Sequence, residues 1–386
     1  MAIVVNSSNI QEAITAISER GFDGMGDALR IIFNQAMLIE RENYLQAGAY
    51  ERNENRVDYA NGFKPKTLNT RLGALEIAVP QTRDSAFYPS FLERGIRSER
   101  ALNISIAEMY VQGVSTRKVT KILESLCGLT VSSTQVSRAS QLLDEEFAQW
   151  RARPLGKYKH LILDALYESV RQGGCVLDCA VLIAYGIDYE GKRTVLGVST
   201  GLSEAEVHWR GFLESLIARG LHAIQSITSD AHAGLKAALK ATFPGVLWQR
   251  CQFHLQQNAQ AYVPKKEMKA QVAEDIRNIF NAPNRVEADR LLKLTQEKDV
   301  KIAPALSEWM ETSIPESLVI FHFETSQRKH LRTSNMAERV NKEIRRRTRV
   351  VTIFPSVESC LRLITGVLVE IDEAWGSGRA YLSMND

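Results

Sequence analysis

LILDALY, Leu161–Tyr167, is a short apolar run with one acid, Asp164, at its centre. Its length and composition predict a buried strand in a sheet that is covered on both faces. A carboxylate in such a strand has lost its water, and an unpaired buried charge costs several kcal/mol. Either a bound cation compensates this charge, or Asp164 ends the strand and caps the turn that follows, as strand-end acids commonly do.

A second acid, Asp230, closes another short run, AIQSITSD at residues 223–230, and the helix-like sequence GLKAALKATF follows it. A strand, an acid and a helix in this order are typical of an α/β sheet whose strand ends present side chains to a ligand. The repeated pattern favours a cation as the partner of Asp164. We therefore predict that both acids stand at one edge of the sheet.

A third acid, Glu338, lies in LRTSNMAERVNKEIRRRTRV, which begins at Leu331. An apolar residue recurs there at every fourth position, which predicts a helix with Glu338 on its polar side. The apolar stripe is Met336, Val340 and Ile344, and the polar side also carries Asn335, Asn341 and Arg345. Two strand acids and one helix acid at one sheet edge can hold a pair of hard divalent cations, whereas without metal they would repel one another.

The segments around these acids predict an α/β core. Three strands come first, followed by helix, strand, helix, strand and a closing helix that carries Glu338. The predicted strands are Leu161–Tyr167, Gly174–Tyr185, Thr194–Thr200, Ala223–Asp230 and Val246–Gln249. Cys175 and Cys179 fall on one face of the second strand, where the apolar setting favours the core over a metal site.

The composition is that of an ordinary globular protein of two or three domains, with 386 residues, 45% hydrophobic, 24% charged and a net charge of +3. The five cysteines form no CxxC pair, which indicates a reducing cytoplasm. The sequence shows no signal peptide and no run of about 18 apolar residues, so we predict a cytoplasmic protein without a membrane partner. No glycine-rich phosphate loop follows a strand, so no nucleotide cofactor is predicted.

Together these motifs resemble those of the Mutator-type transposases of bacterial insertion sequences, which carry a DDE catalytic triad on a ribonuclease-H-like fold. The resemblance covers nearly the whole chain, and its most specific part is the long motif from Leu331. Its pieces are LDALY around Asp164, SDAHAGLKAAL around Asp230, WQRCQFH at Trp248–His254, LRTSNMAERVNKEIRRRTRVV from Leu331 and IFPS near Phe354.

The resemblance implies that Asp164, Asp230 and Glu338 are the catalytic and metal-binding residues. They would hold two Mg²⁺ ions about 3.5 to 4 Å apart, for which Mn²⁺ can substitute. One ion would activate water or a 3′-hydroxyl, and the other would stabilise the leaving oxygen. Because one phosphodiester is exchanged for another, the reaction would need no ATP.

Cys251 and His254 form a CxxH pair. The matching residues of the family accompany the active site, so we assign both a supporting role there, together with Asn335 and Asn341. Two ligands at this spacing are also half of a structural zinc site, but no second pair close in sequence completes it. We therefore expect a local structural or DNA-orienting role.

The catalytic domain is predicted to be α/β and ribonuclease-H-like, with a five-stranded mixed sheet formed by residues 153–254 and 333–386. The strand-free segment 255–332 is too long for a loop inside a compact domain. Family members have an all-helical insertion at this place, and we predict one here. Trp309 in the insertion either stacks on an unpaired base or belongs to the helical core.

The N-terminal region, residues 1–60, contains an amphipathic helix from Asp27 to about Gly48 that packs within its own domain or against a second copy. Residues 61–100 predict short strands and loops with many basic side chains. These form a solvated surface or contact a DNA backbone. The basic residues are Lys64, Lys66, Arg71, Arg83, Arg94, Arg97 and Arg100.

Residues 101–152 predict a helix-turn-helix unit, consistent with the N-terminal site-specific DNA-binding region that the resemblance implies. Breaks at Gly113 and Gly128 separate three helical pieces, and Ser115 and Ser132 or Ser133 are suitable N-caps. The last helix, SSTQVSRASQLLDEEF, would be the recognition helix. Its Gln135 and Arg138 would meet base edges, and Arg117, Lys118 and Lys121 would lie near phosphates. A small helical bundle without DNA contact is the alternative.

The helix after Glu338 carries many basic residues and one further acid, Glu343. Such a run forms either a solvated helix face or a grip on DNA phosphates beside the cleaving site, and the resemblance favours the grip. The residues are Arg339, Lys342, Arg345, Arg346, Arg347 and Arg349.

The sequence therefore predicts a DNA transposase that binds the terminal inverted repeats of its insertion sequence. It would cleave a strand and join the 3′-hydroxyl to target DNA, acting as a homodimer or larger assembly and associating with the nucleoid through DNA. Two alternatives remain open from the sequence. One is an inactive, transposase-derived DNA-binding regulator, and the other is a metal-dependent nuclease that cuts without joining.

Overall fold

The computed structural model describes residues 7–52, 54–84, 86–92 and 98–382 of the chain. By its internal contacts the chain divides into two compact units, residues 1–142 and 143–386. The boundary lies inside the segment 101–152, which the sequence predicts to be one domain. Arg94 and Arg97 of the predicted basic segment lie outside the described residues.

The first unit contains helices and one β-hairpin. Its described elements are α1 (Ser7–Arg20), α2 (Met25–Leu45), β1 (Ala60–Thr70), β2 (Gly73–Thr82), α3 (Arg100–Val111), α4 (Thr116–Cys127) and α5 (Ser133–Ser140). Alternation along β2 buries Leu75, Ile77 and Val79 on the face where Met37 of α2 also lies. This apolar cluster fixes the hairpin on α2.

Helices α3 to α5 share a second apolar cluster of the first unit, which includes Ile106, Val119 and Val136. Local sequence sets their starts. The Ser115 side chain accepts a hydrogen bond from the Lys118 N–H and caps α4, while Ser132 begins α5 with a capping box.

The second unit contains a sheet and the remaining helices. Its strands are β3 (His160–Gln172), β4 (Cys175–Ile187), β5 (Arg193–Gly201), β6 (Ser226–Ser229) and β7 (Leu247–Arg250). Its helices are α6 (Asp144–Ala152), α7 (Glu206–Ala218), α8 (Ala233–Thr242), α9 (Gln252–Ala259), α10 (Lys269–Phe280), α11 (Arg285–Asp299), α12 (Pro304–Ser313), α13 (Thr325–Leu331), α14 (Asn335–Thr348) and α15 (Val357–Gly376).

The five strands form one mixed sheet in the order β5-β4-β3-β6-β7. Strands β3, β4 and β5 are antiparallel neighbours, whereas β6 runs parallel to β3 and β7 runs parallel to β6. This arrangement is consistent with a ribonuclease-H-like core and confirms the predicted five-stranded mixed sheet.

Helices cover both faces of the sheet. One face buries Leu161 and Leu163 of β3 against Trp209 and Leu216 of α7. On the other side α14 packs on β3, and α15 packs on β3 and β5. Since β3 is covered on both faces, its near-continuous apolar sequence is explained.

Helices α9 to α12 bury residues in a third cluster, which includes Leu255, Ile276 and Met310. Every regular element between β7 and α14 is helical, and this part of the chain is described throughout. No described helix has both the length and the apolarity needed to cross a membrane.

Two sequence expectations are wrong. The last predicted helix of segment 101–152 is not one α-helix, because a 3-10 turn at Gln141–Leu143 separates α5 from α6. Arg362 of α15 holds Asp144 by bonds of 2.5 and 2.7 Å, which places α6 in the second unit. Cys179 is buried as expected, but Cys175 is exposed because it begins β4 at the turn after β3.

Candidate active site

Asp164 and Asp230 occupy matching positions on neighbouring parallel strands. Ile162 of β3 pairs with Thr228 of β6, and each acid follows two residues later. Asp230 comes directly after the last residue of β6, Ser229, at the carboxyl end of the strand. The strand register therefore brings the two carboxylates together at one edge of the sheet, as the sequence predicts.

Asp164 is buried, with 8% of its surface exposed. The Asn341 side chain on α14 donates a hydrogen bond of 2.7 Å from Nδ2 to Asp164 Oδ2. Burial raises the pKa of Asp164 to about 7, and the Asp230 charge adds to this effect while His254 opposes it. A buried acid next to a like charge is a strained arrangement that a cation would relieve.

Glu338 lies on α14 one turn before Asn341, so the two side chains leave the same face of the helix. Glu338 Oε1 and Asn341 Oδ1 are both buried and have no hydrogen-bond partner. Buried polar oxygens are nearly always satisfied, so these two atoms fit a site that binds a cation. Carboxylate and amide oxygens are the donors that Mg²⁺ accepts.

The possible metal ligands of this site do not surround a single point. Across the described ranges, no three His, Cys, Asp or Glu side chains form a cluster that could hold a metal ion. Asn335, the first residue of α14, is exposed, and within the described part of the chain its side chain forms no hydrogen bond to the acids.

Cys251 connects the end of β7 to the start of α14. Its backbone N–H donates to the Ser229 carbonyl at 2.7 Å. Its sulphur lies 3.3 Å from Ser334 Oγ and accepts the Ser334 N–H at 3.4 Å. Cys251 and Ser334 are fully buried. The buried sulphur thus helps to fix the first turn of the helix that carries Glu338.

His254 lies one turn along α9 from Cys251. Its interaction with the Cys251 thiol raises the pKa of His254 to about 9, and the charges of Asp164 and Asp230 add to it. The Nδ1 atom of His254 is buried and has no hydrogen-bond partner among the described residues. A positive imidazole here balances part of the charge of the two acids.

Glu204 is an acid that the sequence analysis did not single out. It lies in the polar loop between β5 and α7, is only 9% exposed, and stands 4.0 Å from His232 Nδ1. Burial raises the pKa of Glu204, and the Asp230 charge raises it further. An acid in a loop carries no periodic signal, so only the fold reveals its position beside Asp230.

The absence of a side chain at Gly234 lets the loop that carries Glu204 pack closely against α8. A Cβ atom at this position would lie 2.2 Å from the Glu204 carbonyl oxygen. The His232 N–H just before it donates to Asp230 Oδ1 at 3.3 Å. The absent side chain therefore allows the close packing that holds Glu204, His232 and Asp230 together.

The residues predicted to bind DNA through α4 and α5 belong to the first unit. All five are exposed, and they are Arg117, Lys118, Lys121, Gln135 and Arg138. The Gln135 side chain also accepts the Ser132 N–H at 2.8 Å as part of the capping box.

The basic residues of α14 do not behave alike. Arg339, Lys342, Arg345, Arg346 and Arg349 are exposed. Arg347 is the exception, since it is 4% exposed and paired with Glu343 at 3.0 Å and Glu370 at 2.6 Å. The helix turns Arg347 towards α15, and a phosphate contact by this residue stays a prediction.

Trp309 lies half-buried on the helical cluster of α9 to α12. Its ring stacks on Tyr262 with a centroid distance of 5.1 Å, and the Arg250 guanidinium lies 5.7 Å from its centroid. These contacts match the core alternative better than a free stacking surface.

Two acids stand in register just beyond the paired residues of two parallel strands, and α14 next to them carries a third acid and an amide. This arrangement is a candidate hydrolase or phosphotransferase centre. The chain matches the model described as Transposase, Mutator family, over residues 2–378. It belongs to this family.

The chain is 54% identical to the transposase for insertion sequence element IS406 of Burkholderia multivorans, over 100% of both chains. It is 41% identical to the transposase for ISRM5 of Rhizobium meliloti, over 94% of this chain and 92% of the relative. It is 38% identical to the transposase for IS256 in transposon Tn4001 of Staphylococcus aureus, over 92% of each.

Among solved structures, the chain is similar to one from a simian T-cell lymphotropic virus intasome in complex with a PP2A regulatory subunit. The identity is 15%, over 60% of this chain and 74% of that one, with a TM-score of 0.19. A score this low supports no inference about fold or function.

Proposed function

We propose that this chain is a DDE transposase that cleaves DNA at the ends of its insertion sequence and joins the 3′-hydroxyl to target DNA. The observation that carries the proposal is the strand register, which sets Asp164 and Asp230 each two residues beyond the paired Ile162 and Thr228, with Asn341 bonded to Asp164. That bond joins β3 to α14, the helix that carries Glu338. The names of the relatives as insertion-sequence transposases support it.

Asp164, Asp230 and Glu338 would hold two Mg²⁺ ions, with Mn²⁺ as a substitute. When bound, the ions would supply Lewis-acid activation of the attacking hydroxyl or water and would stabilise the leaving oxygen. The unpartnered oxygens of Glu338 and Asn341 and the charge repulsion at Asp164 fit such a site.

The remaining residues of the site position the acids and balance part of their negative charge. Asn341 orients the Asp164 carboxylate by its hydrogen bond. Cys251 fixes the start of α14 through Ser334, and His254 offsets part of the negative charge. A preorganised site of this kind loses little energy to reorganisation when the reaction occurs.

Recognition of the terminal inverted repeats would belong to α3 to α5 as a helix-turn-helix, with α5 in the major groove. Gln135 and Arg138 would meet base edges, and Arg117, Lys118 and Lys121 would contact phosphates. The exposed basic residues of α14 would grip DNA beside the acids, and α9 to α13 would form the all-helical insertion. Two or more copies would bring both element ends together at the nucleoid.

The test is a Mg²⁺-dependent cleavage and joining assay on labelled DNA with the element's own ends. The variants are Asp164→Asn, Asp230→Asn and Glu338→Gln, which keep side-chain shape and remove one charge each. The matched control is Asp178→Asn, an exposed acid on β4 of the same sheet. We expect wild type and control to cut and join, and the three variants to bind the ends without doing either.

Other results would contradict the proposal in distinct ways. Cleavage by all three variants would show that the active site lies elsewhere. Binding without cleavage by wild type would favour a DNA-binding regulator, and cleavage without joining would favour a nuclease. In the same assay, replacing Arg117, Lys118 and Lys121 by glutamine should weaken end binding and lower its salt dependence, by about one unit of slope for each phosphate that is no longer neutralised.

A further inference from the structure

The β-hairpin of the first unit carries a basic strip that has no part in the acidic site or in helices α4 and α5. The strip consists of Arg56, Lys64 and Arg83 with the ring of Tyr59. Tyr59, Lys64 and Arg83 are exposed, and Arg56 is half-buried. Basic side chains next to exposed aromatic rings are typical of surfaces that bind nucleic acid.

The ring of Tyr59 holds two guanidinium groups at the surface. Arg56 Cζ lies 5.1 Å from the centroid of this ring, and Arg83 Cζ lies 5.2 Å from it. The Asp58 carbonyl accepts a hydrogen bond of 3.2 Å from Arg56 Nε, and the Glu51 carbonyl accepts one of 2.7 Å from Arg56 Nη1. A guanidinium that lies over a ring still has N–H donors in its own plane, where a phosphate can accept them.

A β-bulge brings Lys64 to the same face of the hairpin as Tyr59. Ala60 pairs with Thr82, and Lys64 pairs with Val79, so β1 has one extra residue between these two pairs. Because Thr82 and Val79 lie three positions apart on β2, they point to opposite faces, and so do their partners on β1. The ladder continues to Tyr59, whose carbonyl accepts a backbone N–H at 3.0 Å. Tyr59 is next to Ala60 and therefore shares the face of Lys64.

No ion pair neutralises the cations of the strip. Asp58 and Asp84 are the acids next in sequence to Tyr59 and Arg83, but their carboxylates accept other donors. Asp58 Oδ2 accepts the Asp84 N–H at 3.1 Å, and Asp84 Oδ1 accepts the Thr82 hydroxyl at 2.8 Å. Within the described ranges, no ion pair of the first unit involves a cation of the strip.

Two other basic residues of the hairpin are held by the protein itself. Arg71, in the turn between β1 and β2, is ion-paired with Glu99, with Nε 2.9 Å from Oε1. Lys66 donates a hydrogen bond of 2.9 Å to the Tyr88 hydroxyl. The sequence does not distinguish these residues from Lys64, because Glu99 and Tyr88 lie more than 20 positions away from them.

The length and charge of the strip fit the backbone of duplex DNA. Tyr59 and Lys64 are five positions apart, which corresponds to about 15 Å along an extended strand. The phosphates of one DNA strand follow one another at about 3.4 Å along the helix axis, so this length corresponds to about four phosphates. A two-stranded β-ribbon is also narrow enough to enter the major groove.

We propose that the basic strip is a second DNA-binding surface of the first unit, which contacts the phosphate backbone independently of base sequence. Arg56, Lys64 and Arg83 neutralise phosphates, and Tyr59 positions the two arginines. The inference rests on the proposed function, in which α4 and α5 recognise the element ends. Since phosphate contacts carry no direct sequence information, the strip adds affinity for DNA but no preference for the ends.

The first experiment measures DNA binding by the full-length chain as a function of salt. Fluorescence anisotropy is recorded with two labelled duplexes of equal length, an element end and the same duplex with its terminal inverted repeat scrambled. The variants are Arg56→Gln, Lys64→Gln and Arg83→Gln, singly and combined. Arg71→Gln is the matched control, because it removes the same charge from the same hairpin at a residue that Glu99 already holds.

Each single variant should lower the slope of log affinity against log salt by about one unit, and the triple variant by about three, on both duplexes. Between 50 and 200 mM salt, the affinity of wild type should therefore fall about 40-fold more than that of the triple variant. Arg71→Gln should keep a slope close to that of wild type.

Three results would overturn the strip. The first is a wild-type slope in the triple variant. The second is an equal effect of Arg71→Gln and Arg83→Gln, because net charge alone would then explain both. The third is a loss confined to the duplex that contains the inverted repeat, because the strip would then read sequence.

The second experiment tests the positioning role of Tyr59. Tyr59→Leu should weaken binding to both duplexes about three- to fivefold, the size expected for losing a ring beneath exposed cations. Tyr59→Phe keeps the ring and should bind like wild type. Equal losses in the two variants would overturn the positioning role, and thermal unfolding of both shows whether the hairpin still folds.

The strip and the proposed function fail in different ways. If wild type cuts and joins element ends and the triple variant binds both duplexes like wild type, only the strip is wrong. If wild type neither cuts nor joins, while the triple variant loses affinity for both duplexes, the proposed function is wrong and the strip stands.

Discussion

The acidic edge of the sheet and the three helices α3 to α5 are built in opposite ways. In the helices, Ser115 and Ser132 cap their own first turns and the apolar spacing of neighbouring residues forms the shared core. At the acidic edge, Asp164 is bonded to Asn341, which lies 177 positions away in the chain. Local sequence therefore decides the helices, whereas strand register and long-range packing decide the site.

The prediction with the largest expected change in stability concerns the charge of Asp164 at the acidic edge. Burial raises the pKa of Asp164 to about 7 from an ordinary 3.8, so between these pH values the folded state holds a proton that the unfolded state has lost. Wild-type stability therefore falls as the pH rises from about 4 to 7. Without metal, Asp164→Asn should be more stable than wild type at pH 8 by about 2 to 4 kcal/mol, with no difference at pH 4.

Urea unfolding in EDTA at several pH values measures this difference. Asp178→Asn, at an exposed position on β4, is the control and should stay within about 0.5 kcal/mol of wild type throughout. Parallel pH curves for wild type and Asp164→Asn would mean that the acidic edge is not strained.

The second prediction concerns the backbone approach at Gly234. Gly234→Ala would place a Cβ atom 2.2 Å from the Glu204 carbonyl oxygen, so the loop or the helix has to move. We expect a loss of about 2 to 3 kcal/mol in unfolding free energy. Gly211→Ala on the open side of α7, where no atom lies within 4 Å, should instead stabilise the protein by about 0.5 to 1 kcal/mol. Equal effects of both changes would contradict the close approach.

The third prediction tests the link between Cys251 and α14. Cys251→Ala removes the acceptor of the buried Ser334 N–H and should cost about 1 to 3 kcal/mol, because that donor is left unsatisfied. Cys251→Ser keeps a polar acceptor and should cost less. Chemical denaturation of both variants separates these outcomes, and equal losses would indicate that only the volume of the sulphur matters.

The smallest effect tests the locally determined region. Ser132→Ala removes the side chain that accepts the Gln135 N–H at 3.2 Å and should lower the stability of the first unit by about 1 kcal/mol. Ser133→Ala, one position later and inside the helix, is the matched control and should be close to neutral. Hydrogen exchange of α5 amides reports the difference, and similar protection in both variants would show that packing, not the cap, fixes the helix start.

These comparisons show how far prediction from sequence reaches in this molecule. The apolar runs around Asp164 and Asp230 predict β3 and β6, and the stripe of Met336, Val340 and Ile344 predicts α14. The sequence does not show that Arg347 differs from its basic neighbours, because its partner Glu370 lies on another helix. The 3-10 turn after Ser140 has the same kind of cause, because Arg362 of α15 binds Asp144 at the start of α6.

The sequence by itself determined where most helices and strands lie, because the period of apolar residues and the capping side chains act over a few neighbouring positions. Only the tertiary structure decided which side chains meet at the site. The pairing of Ile162 with Thr228 places Asp164 beside Asp230, and the fold brings Glu204 to His232, whose backbone N–H is bonded to Asp230. Such proximity depends on strand register and helix packing, and neither has a local signal in the chain.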